Sequence, residues 1–283
     1  MLDIQPNSSI SMRDVDAHID SLILPSSSPV SDAAKYHFLA GGSRVRAQLG
    51  LDAAVALKLT AQASMACAIA PELLHNASLI HDDLQDGDIM RRNQPAVWSR
   101  YGKDIAILTG DLLISAAYVV IAQHPYPADA LRAIHDAIAV TINGQILDCS
   151  RKNATPEKYD FIAANKSGPL LALPIRLALI AAQAPGDEIA KQAGHAMAIA
   201  YQTLDDIEDR ETDSESGGTN ICLSLEALGH SHKVAVGIAT ARAHSALKAA
   251  RVEACALQDG VGASFLSLAD RLETKLRSIT NAT

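Results

Sequence analysis

The chain is short of aromatic residues, cysteine and uninterrupted apolar runs, and each shortage excludes something. One Trp, six Tyr and three Phe in 283 residues are too few for a β-sandwich or barrel core built on large flat side chains. The four cysteines, Cys67, Cys149, Cys222 and Cys255, are widely spaced and form no CxxC pair, so neither a disulfide framework nor a thiolate metal site is expected. They read as reduced, buried small residues of a cytoplasmic protein. The opening residues MLDIQPNSSISMRDVD contain no basic stretch followed by an apolar run, and no signal peptide is expected. The longest apolar stretches fail as membrane spans: Leu170 to Ala184 contains Pro174 and Arg176, and Ile105 to Ala122 carries Asp111. Walker loops, GxGxxG, HExxH and fixed-period repeats are all missing. Cations are outnumbered as well, 24 Lys and Arg against 32 Asp and Glu for a net charge of −8, which speaks against nucleic-acid binding.

What is abundant is alanine, roughly one residue in six, within a chain that is 48% hydrophobic. That composition excludes disorder and favours helices packed closely on small side chains. Helical periodicity is visible almost throughout: Ser11 to Leu24, Ser43 to Leu59, Gln62 to about Asp86, Lys103 to Gln123, Ala128 to about Ser150 and Asp187 to about Glu208. Pro71 is expected to kink its helix or mark a restart, and PSSSPVSD (25–32) reads as a loop. Thr155-Pro156-Glu157 is a helix start, Gly168-Pro169 reads as a break, and Leu170 to Ala184 follows. The polar, acidic segment 210–220 reads as a mobile loop; Ile221 to Leu228, Ser231 to Ala256 and Gly262 to Ser278 complete the chain. No alternating strand pattern is present, so the fold class expected is all-α: a single domain over residues 1–283, with about ten helices and no dividing linker.

Two acidic strings stand out. His81-Asp82-Asp83-Leu84-Gln85-Asp86 and Asp205-Asp206-Ile207-Glu208-Asp209 both contain DDxxD, and both end a long apolar helix. Residues at i and i+4 share a helix face, so Asp82 projects with Asp86 and Asp205 with Asp209. One such string alone would ordinarily be solvated surface. Two at matching positions, the first followed by Arg91-Arg92, point instead to carboxylates neutralised by a hard cation, Mg²⁺ or Mn²⁺, with phosphate oxygens completing the site. The arginine pair suits an anionic ligand.

With these residues in place, the chain resembles the trans-isoprenyl diphosphate synthase (polyprenyl synthetase) family. LHNASLIHDDLQDGDIMRRNQP resembles its first aspartate-rich motif, in the form closest to geranylgeranyl diphosphate synthases, and YQTLDDIED resembles the second. Gly41-Gly42-Ser43-Arg44-Val45-Arg46 resembles GGKRxRP, Gly144-Gln145 with Asp148 resembles GQxxD, and Asn165-Lys166-Ser167 resembles the KT or KS element. The resemblance runs from about residue 40 to 210. It implies an isoprenoid synthase type helical bundle around a central cavity, with the two acidic motifs facing each other at its mouth.

By that resemblance, Asp82, Asp83, Asp86, Asp205 and Asp209 hold Mg²⁺ bridging to an allylic diphosphate, with Asp206 supporting them from behind. Arg91 and Lys166 bind the same diphosphate. Gly42, Ser43, Arg46, His75 and Arg92 serve the diphosphate of isopentenyl diphosphate, and Gln202 lines the reaction zone. The implied chemistry is ionisation of the allylic diphosphate, attack by the isopentenyl double bond, and proton loss to the departing pyrophosphate. Ala77 and Ser78, before the first motif, leave the floor of the cavity open, which implies a product of 20 carbons or more, with geranylgeranyl diphosphate favoured. A homodimer is the family habit.

Two features depart from the pattern. Ser43 stands where the family has a Lys, and the 210–220 segment has Arg210 as its sole cation where a Lys-bearing loop is usual. Arg44, Lys275 and Arg277 are candidates to replace them. Three functions remain open on the residues alone: an elongating prenyltransferase, an enzyme of the same fold that ionises a prenyl diphosphate to cyclise or hydrolyse it, and a non-catalytic partner subunit.

Overall fold

A computed structural model of the chain describes residues 10–23, 28–149, 155–216 and 220–280. Among them are thirteen α-helices: α1 (Met12–Leu22), α2 (Pro29–Leu39), α3 (Val45–Ala56), α4 (Ala61–Asp86), α5 (Val97–Tyr101), α6 (Lys103–Ile121), α7 (Pro127–Cys149), α8 (Pro156–Ala182), α9 (Asp187–Glu208), α10 (Arg210–Ser216), α11 (Ile221–Ala227), α12 (His232–Ala256) and α13 (Ala263–Thr280). Two-residue strands β1 (Met90–Arg91) and β2 (Gln94–Pro95) form the one sheet among the described residues. The all-α class expected from the composition is what forms.

The helices group into two compact units, residues 1–133 with 177–184, and 134–176 with 185–283. The boundary falls inside α7 and α8, not at a linker. In the first unit α4 lies against α3 and α6. Close approach there depends on missing side chains. A Cβ at Gly50 of α3 would sit 2.3 Å from the Cys67 carbonyl oxygen of α4. That carbonyl is the one Pro71, four residues on, leaves without its helical N–H partner. No restart occurs at Pro71: α4 runs through it for 26 residues, about 39 Å. Its C-terminus is set by Gly87 in the left-handed conformation (φ 78°), which ends the helix at Asp86.

Three expectations from the sequence need correcting. The break at Gly168-Pro169 does not occur: α8 is continuous through Pro169 and Pro174. Here Gly168 serves packing instead, since a Cβ there would lie 2.6 Å from His195 of α9, and Gly194 of α9 in turn approaches Ala172. The tail of the expected 25–32 loop is the start of α2, where Ser28 caps the helix through its side chain and Pro29 occupies the first turn. Within 210–220, Arg210–Ser216 forms the short helix α10, whose first turn carries Glu211 and Asp213 to offset the helix dipole; residues 217–219 lie outside the described set.

Of the described helices, α6 has the length and composition to cross a membrane. Its Ala106, Leu113, Ala117 and Ile121 are buried in the protein, as in a core helix.

Candidate active site

The first acidic string occupies the last turn of α4. Its carboxylates divide by face. Asp83 is buried, Asp82 is half-buried and Asp86 is exposed. Asp83 Oδ1 accepts from Arg91 Nε at 2.8 Å and also from Nη2, and Arg91 thereby neutralises a carboxylate whose burial raises its pKa. Asp83 Oδ2 is buried with no hydrogen-bond partner. An unpartnered buried carboxylate oxygen is costly, and a cation is the group that would relieve it.

Arg91 and Arg92 are presented by a tight hairpin. Arg91 pairs with Gln94, and the two residues between, Arg92 (φ 52°) and Asn93 (φ 62°), are both left-handed, as a two-residue hairpin turn of the I′ kind requires. Tyr36 of α2 fastens the second strand, its Oη donating to the Pro95 carbonyl at 2.7 Å. Arg92 turns away from Asp83 to donate to the Gly41 carbonyl. Gly42 (φ 142°) lies so close that a Cβ would meet the Arg92 guanidinium carbon at 2.9 Å. The GGSR corner and Arg92 are thus brought together. Ser43 beside them is exposed.

His75 on α4 belongs to the same cluster. Burial holds its imidazole well below the usual pKa, and Arg46 and Arg92 add to the effect. It is therefore neutral at pH 7, available to bond a ligand without adding charge. His37 of α2 is depressed to about 4 by burial and then by Arg92. Ala77, at 1% exposure, is buried, and Ser78 donates to the His75 carbonyl at 2.8 Å. Arg44 does not replace the missing Lys: its Nε donates to Asp16 at 3.1 Å, and its guanidinium covers the Phe38 ring at 5.1 Å.

The second string ends α9, in the second unit. Asp205 is half-buried, and burial pushes its pKa up to about 7 against the pull of Lys275. Asp206 is buried and also raised to about 7, first by burial. It accepts from Gln202 Nε2 at 3.0 Å and from the Ile221 N–H at 2.7 Å. Asn220 caps α11 with its Oδ1 while its Nδ2 donates to the Asp206 carbonyl at 2.7 Å, and so ties the end of α9 to the start of α11. Gln202, expected to line the reaction zone, spends its amide Nε2 on Asp206. Asp209 is exposed at the C-cap.

Lys275 of α13 bonds Glu208 next to this string, so one of the two C-terminal candidates does reach it. Arg277 does not; it pairs with Glu273 on its own helix. Arg210 is held by both oxygens of Glu226 (3.1 and 2.5 Å). Also in the second unit, Lys166 Nζ donates to Asp148 at 2.6 Å, and Gly144 lies against the Asn165–Lys166 backbone, with 2.4 Å from a Cβ to the Lys166 nitrogen. The GQxxD and NKS elements therefore meet, with Gly144 permitting the approach and Asp148 holding the lysine. The glycine and the lysine were legible as family elements; their partnership was not.

Among the described residues, no three His, Cys, Asp or Glu side chains are gathered closely enough to hold a metal by themselves. The donors fit a hard divalent cation nonetheless. In each string they are oxygens: in the first unit Asp83 has an oxygen without a partner, and in the second unit Asp205 is charged only at a cost that a cation would remove.

The profile of the polyprenyl synthetase family matches residues 27–250. The chain belongs to the polyprenyl synthetase family. It is 34% identical to a geranylgeranyl diphosphate synthase of Methanosarcina mazei, over 71% of this chain and 65% of that one. A geranylgeranyl diphosphate synthase of Cyanophora paradoxa is 32% identical, over 70% and 71%. The match spans about half to two thirds of the length of the first curated relatives. A geranylgeranyl pyrophosphate synthetase from the archaeon Geoglobus acetivorans has the same fold, with a TM-score of 0.83 at 23% identity, over 92% of this chain and 97% of that one. The polyprenyl synthetase match begins two residues before α2 and ends in α12, so every motif discussed above lies inside it.

Proposed function

We propose that the protein is a trans-prenyltransferase that condenses isopentenyl diphosphate with an allylic prenyl diphosphate. The observation that carries this reading is the Arg91–Arg92 hairpin. One arginine is held on an aspartate of the first acidic string, and the other on the GGSR corner beside His75 and Arg46. Two separate cationic positions suit two diphosphates, whereas an enzyme that only ionises one substrate needs one.

When bound, Mg²⁺ would be held by Asp82, Asp83, Asp86, Asp205 and Asp209, and would neutralise charge on the allylic diphosphate oxygens. Arg91 and Lys166 bind and orient that diphosphate and stabilise negative charge on it as its C–O bond breaks. Arg46, Arg92 and neutral His75 hold isopentenyl diphosphate so that its double bond faces the allylic carbon. A C–C bond forms, and the proton lost from the adduct goes to the departing pyrophosphate. The apolar faces of the helices exclude water, which would otherwise quench the cation. Geranylgeranyl diphosphate is the favoured product, because Ala77 and Ser78 offer no bulk. The cysteines are free, Cys67 and Cys222 buried as expected but Cys149 and Cys255 exposed, and free thiols suit the reducing cytoplasm. A second copy of the chain is the occupant we propose for the exposed apolar residues of α6: Ile107, Leu108, Tyr118 and Val119.

The test is purified protein with Mg²⁺, labelled isopentenyl diphosphate, and dimethylallyl, geranyl or farnesyl diphosphate in turn. Extended product from farnesyl diphosphate is expected. Pyrophosphate release without incorporation of label would instead establish the cyclase or hydrolase reading, which the exposed Ser43 and the occupied Arg44 and Arg210 favour. Ala77→Phe is expected to shorten the product, and an unchanged length would remove Ala77 from the floor.

A further inference from the structure

Glu72 is a buried carboxylate to which the chemistry above gives no task. It lies on α4 ten residues before Asp82 and is 2% exposed. Its two oxygens have different partners. Oε2 accepts from the Ala47 N–H at 3.3 Å, and Oε1 accepts from Asn76 Nδ2 at 3.0 Å. Asn76, fully buried, also donates to the Glu72 carbonyl at 2.7 Å and meets His37 Nε2 through its Oδ1 at 3.0 Å. Arg44 Nη1 stands 3.8 Å from Oε1.

The helix that receives this carboxylate lacks a cap of its own. The residue before α3 is Arg44, left-handed at φ 48°, with no side-chain bond to the first turn. The N–H groups of a first turn have no partner within the helix, and a carboxylate there also meets the positive end of the dipole. Glu72 supplies both from another helix. Arg46 is the second residue of that same turn, next to the capped Ala47. Arg44, at the start of the turn, joins it to Gly41-Gly42, where Arg92 rests.

We propose that Glu72 is a positioning residue. By capping the first turn of α3 from α4, it fixes Arg46 and the GGSR corner in the arrangement that receives isopentenyl diphosphate. This rests on the prenyltransferase reading above. Asn76 holds Oε1, which leaves Oε2 aimed at Ala47. The carboxylate acts through Arg46 and touches no substrate.

Two roles for Glu72 carry opposite signs. A mere counter-charge, once removed, would leave the arginine cluster more positive and tighten diphosphate binding. A positioning group, once removed, loosens it. Glu72→Gln keeps the shape but has one acceptor oxygen where two are needed. It is expected to raise KM for isopentenyl diphosphate about tenfold, with kcat and the allylic KM changed less than about threefold. In an Arg46→Ala background the same change is expected to add nothing. Asn76→Ala, which frees Oε1, gives a smaller rise of the same kind and serves if Glu72→Gln does not fold. A lowered KM, an equal rise in both KM values, or a fall in Tm with both KM values unchanged would overturn the proposal. Titration with isopentenyl diphosphate in the absence of Mg²⁺ separates the two failures. A wild type that binds it more tightly than the variant, yet does not extend it, sinks the activity alone. Equal Kd values sink the positioning role alone.

Discussion

The two DDxxD strings have the same pattern but different electrostatics. At the end of α4 the buried carboxylate, Asp83, is matched by a full positive charge on Arg91. At the end of α9 the buried carboxylate, Asp206, is matched by the neutral amide of Gln202 and the Ile221 N–H. Its neighbour Asp205 has the pull of Lys275 against burial, and both are raised to about 7. A charged partner keeps a carboxylate ionised but also occupies it. Neutral partners leave the charge for an incoming cation to balance. The buried charge of the first string is thus balanced from within the protein, while that of the second is left for the proposed cation to balance.

The widest break in that comparison comes from the half-buried carboxylates. Asp205→Asn and Asp82→Asn are each expected to lower kcat by about 10²- to 10³-fold, since each removes an anion from the set proposed to neutralise the leaving group through Mg²⁺. Single-turnover rates with both substrates check this, and a variant within a factor of ten of wild type would drop its residue from the set.

Stability gives the next contrast. Arg91→Ala leaves Asp83 buried without its cation and is expected to cost about 2–3 kcal/mol in urea denaturation. Gln202→Ala leaves Asp206 its backbone donor and is expected to cost about 1 kcal/mol. Equal losses would show that the two strings do not differ as described.

The third effect is on pH. Asp205 and Asp206 titrate near 7 in the folded chain against an ordinary value of 3.8. Between those values the folded state keeps protons that the unfolded state has released. The stabilisation from these groups is therefore complete below 3.8 and is lost as pH rises through 7. The proposed Mg²⁺ would compete with the proton on Asp205. The rise in Tm on adding Mg²⁺ is expected to be larger at pH 8 than at pH 6, and a pH-independent rise would contradict it. Smallest is Lys275→Ala. It removes a cation that lowers the Asp205 pKa, so the Mg²⁺ response is expected to move to higher pH by less than about one unit.

Much of this was legible from residue order. The bounds read for α9 are the observed ones, because Asp187 and the acidic run frame an apolar stretch with clear period. Both strings end their helices as expected. The unread parts are those that depend on contacts distant in sequence. Gly168-Pro169 reads as a break until His195 is seen to need the space where a Cβ would be. Arg44 reads as a free cation until Asp16 and Phe38 are placed beside it. Glu72 and Asn76 lie in the middle of an apolar helix, where nothing local reveals that one of them caps α3. The α2 start was different, since Ser28-Pro29 is a local signal hidden by the serine-rich run before it.

The hairpin after α4 also works as a measuring device. Between Asp83 and Arg91 the chain must span a helix end, a left-handed glycine and one strand residue, and then reverse within two left-handed residues. Arg91 ends the strand and Arg92 opens the turn, so a one-residue deletion before them would bring Arg92 to the place opposite Asp83, and a one-residue insertion would bring Met90 there. The stretch from Asp83 to Arg92 can therefore change its residues more easily than its length. Directed libraries in this segment should vary composition and hold the count fixed.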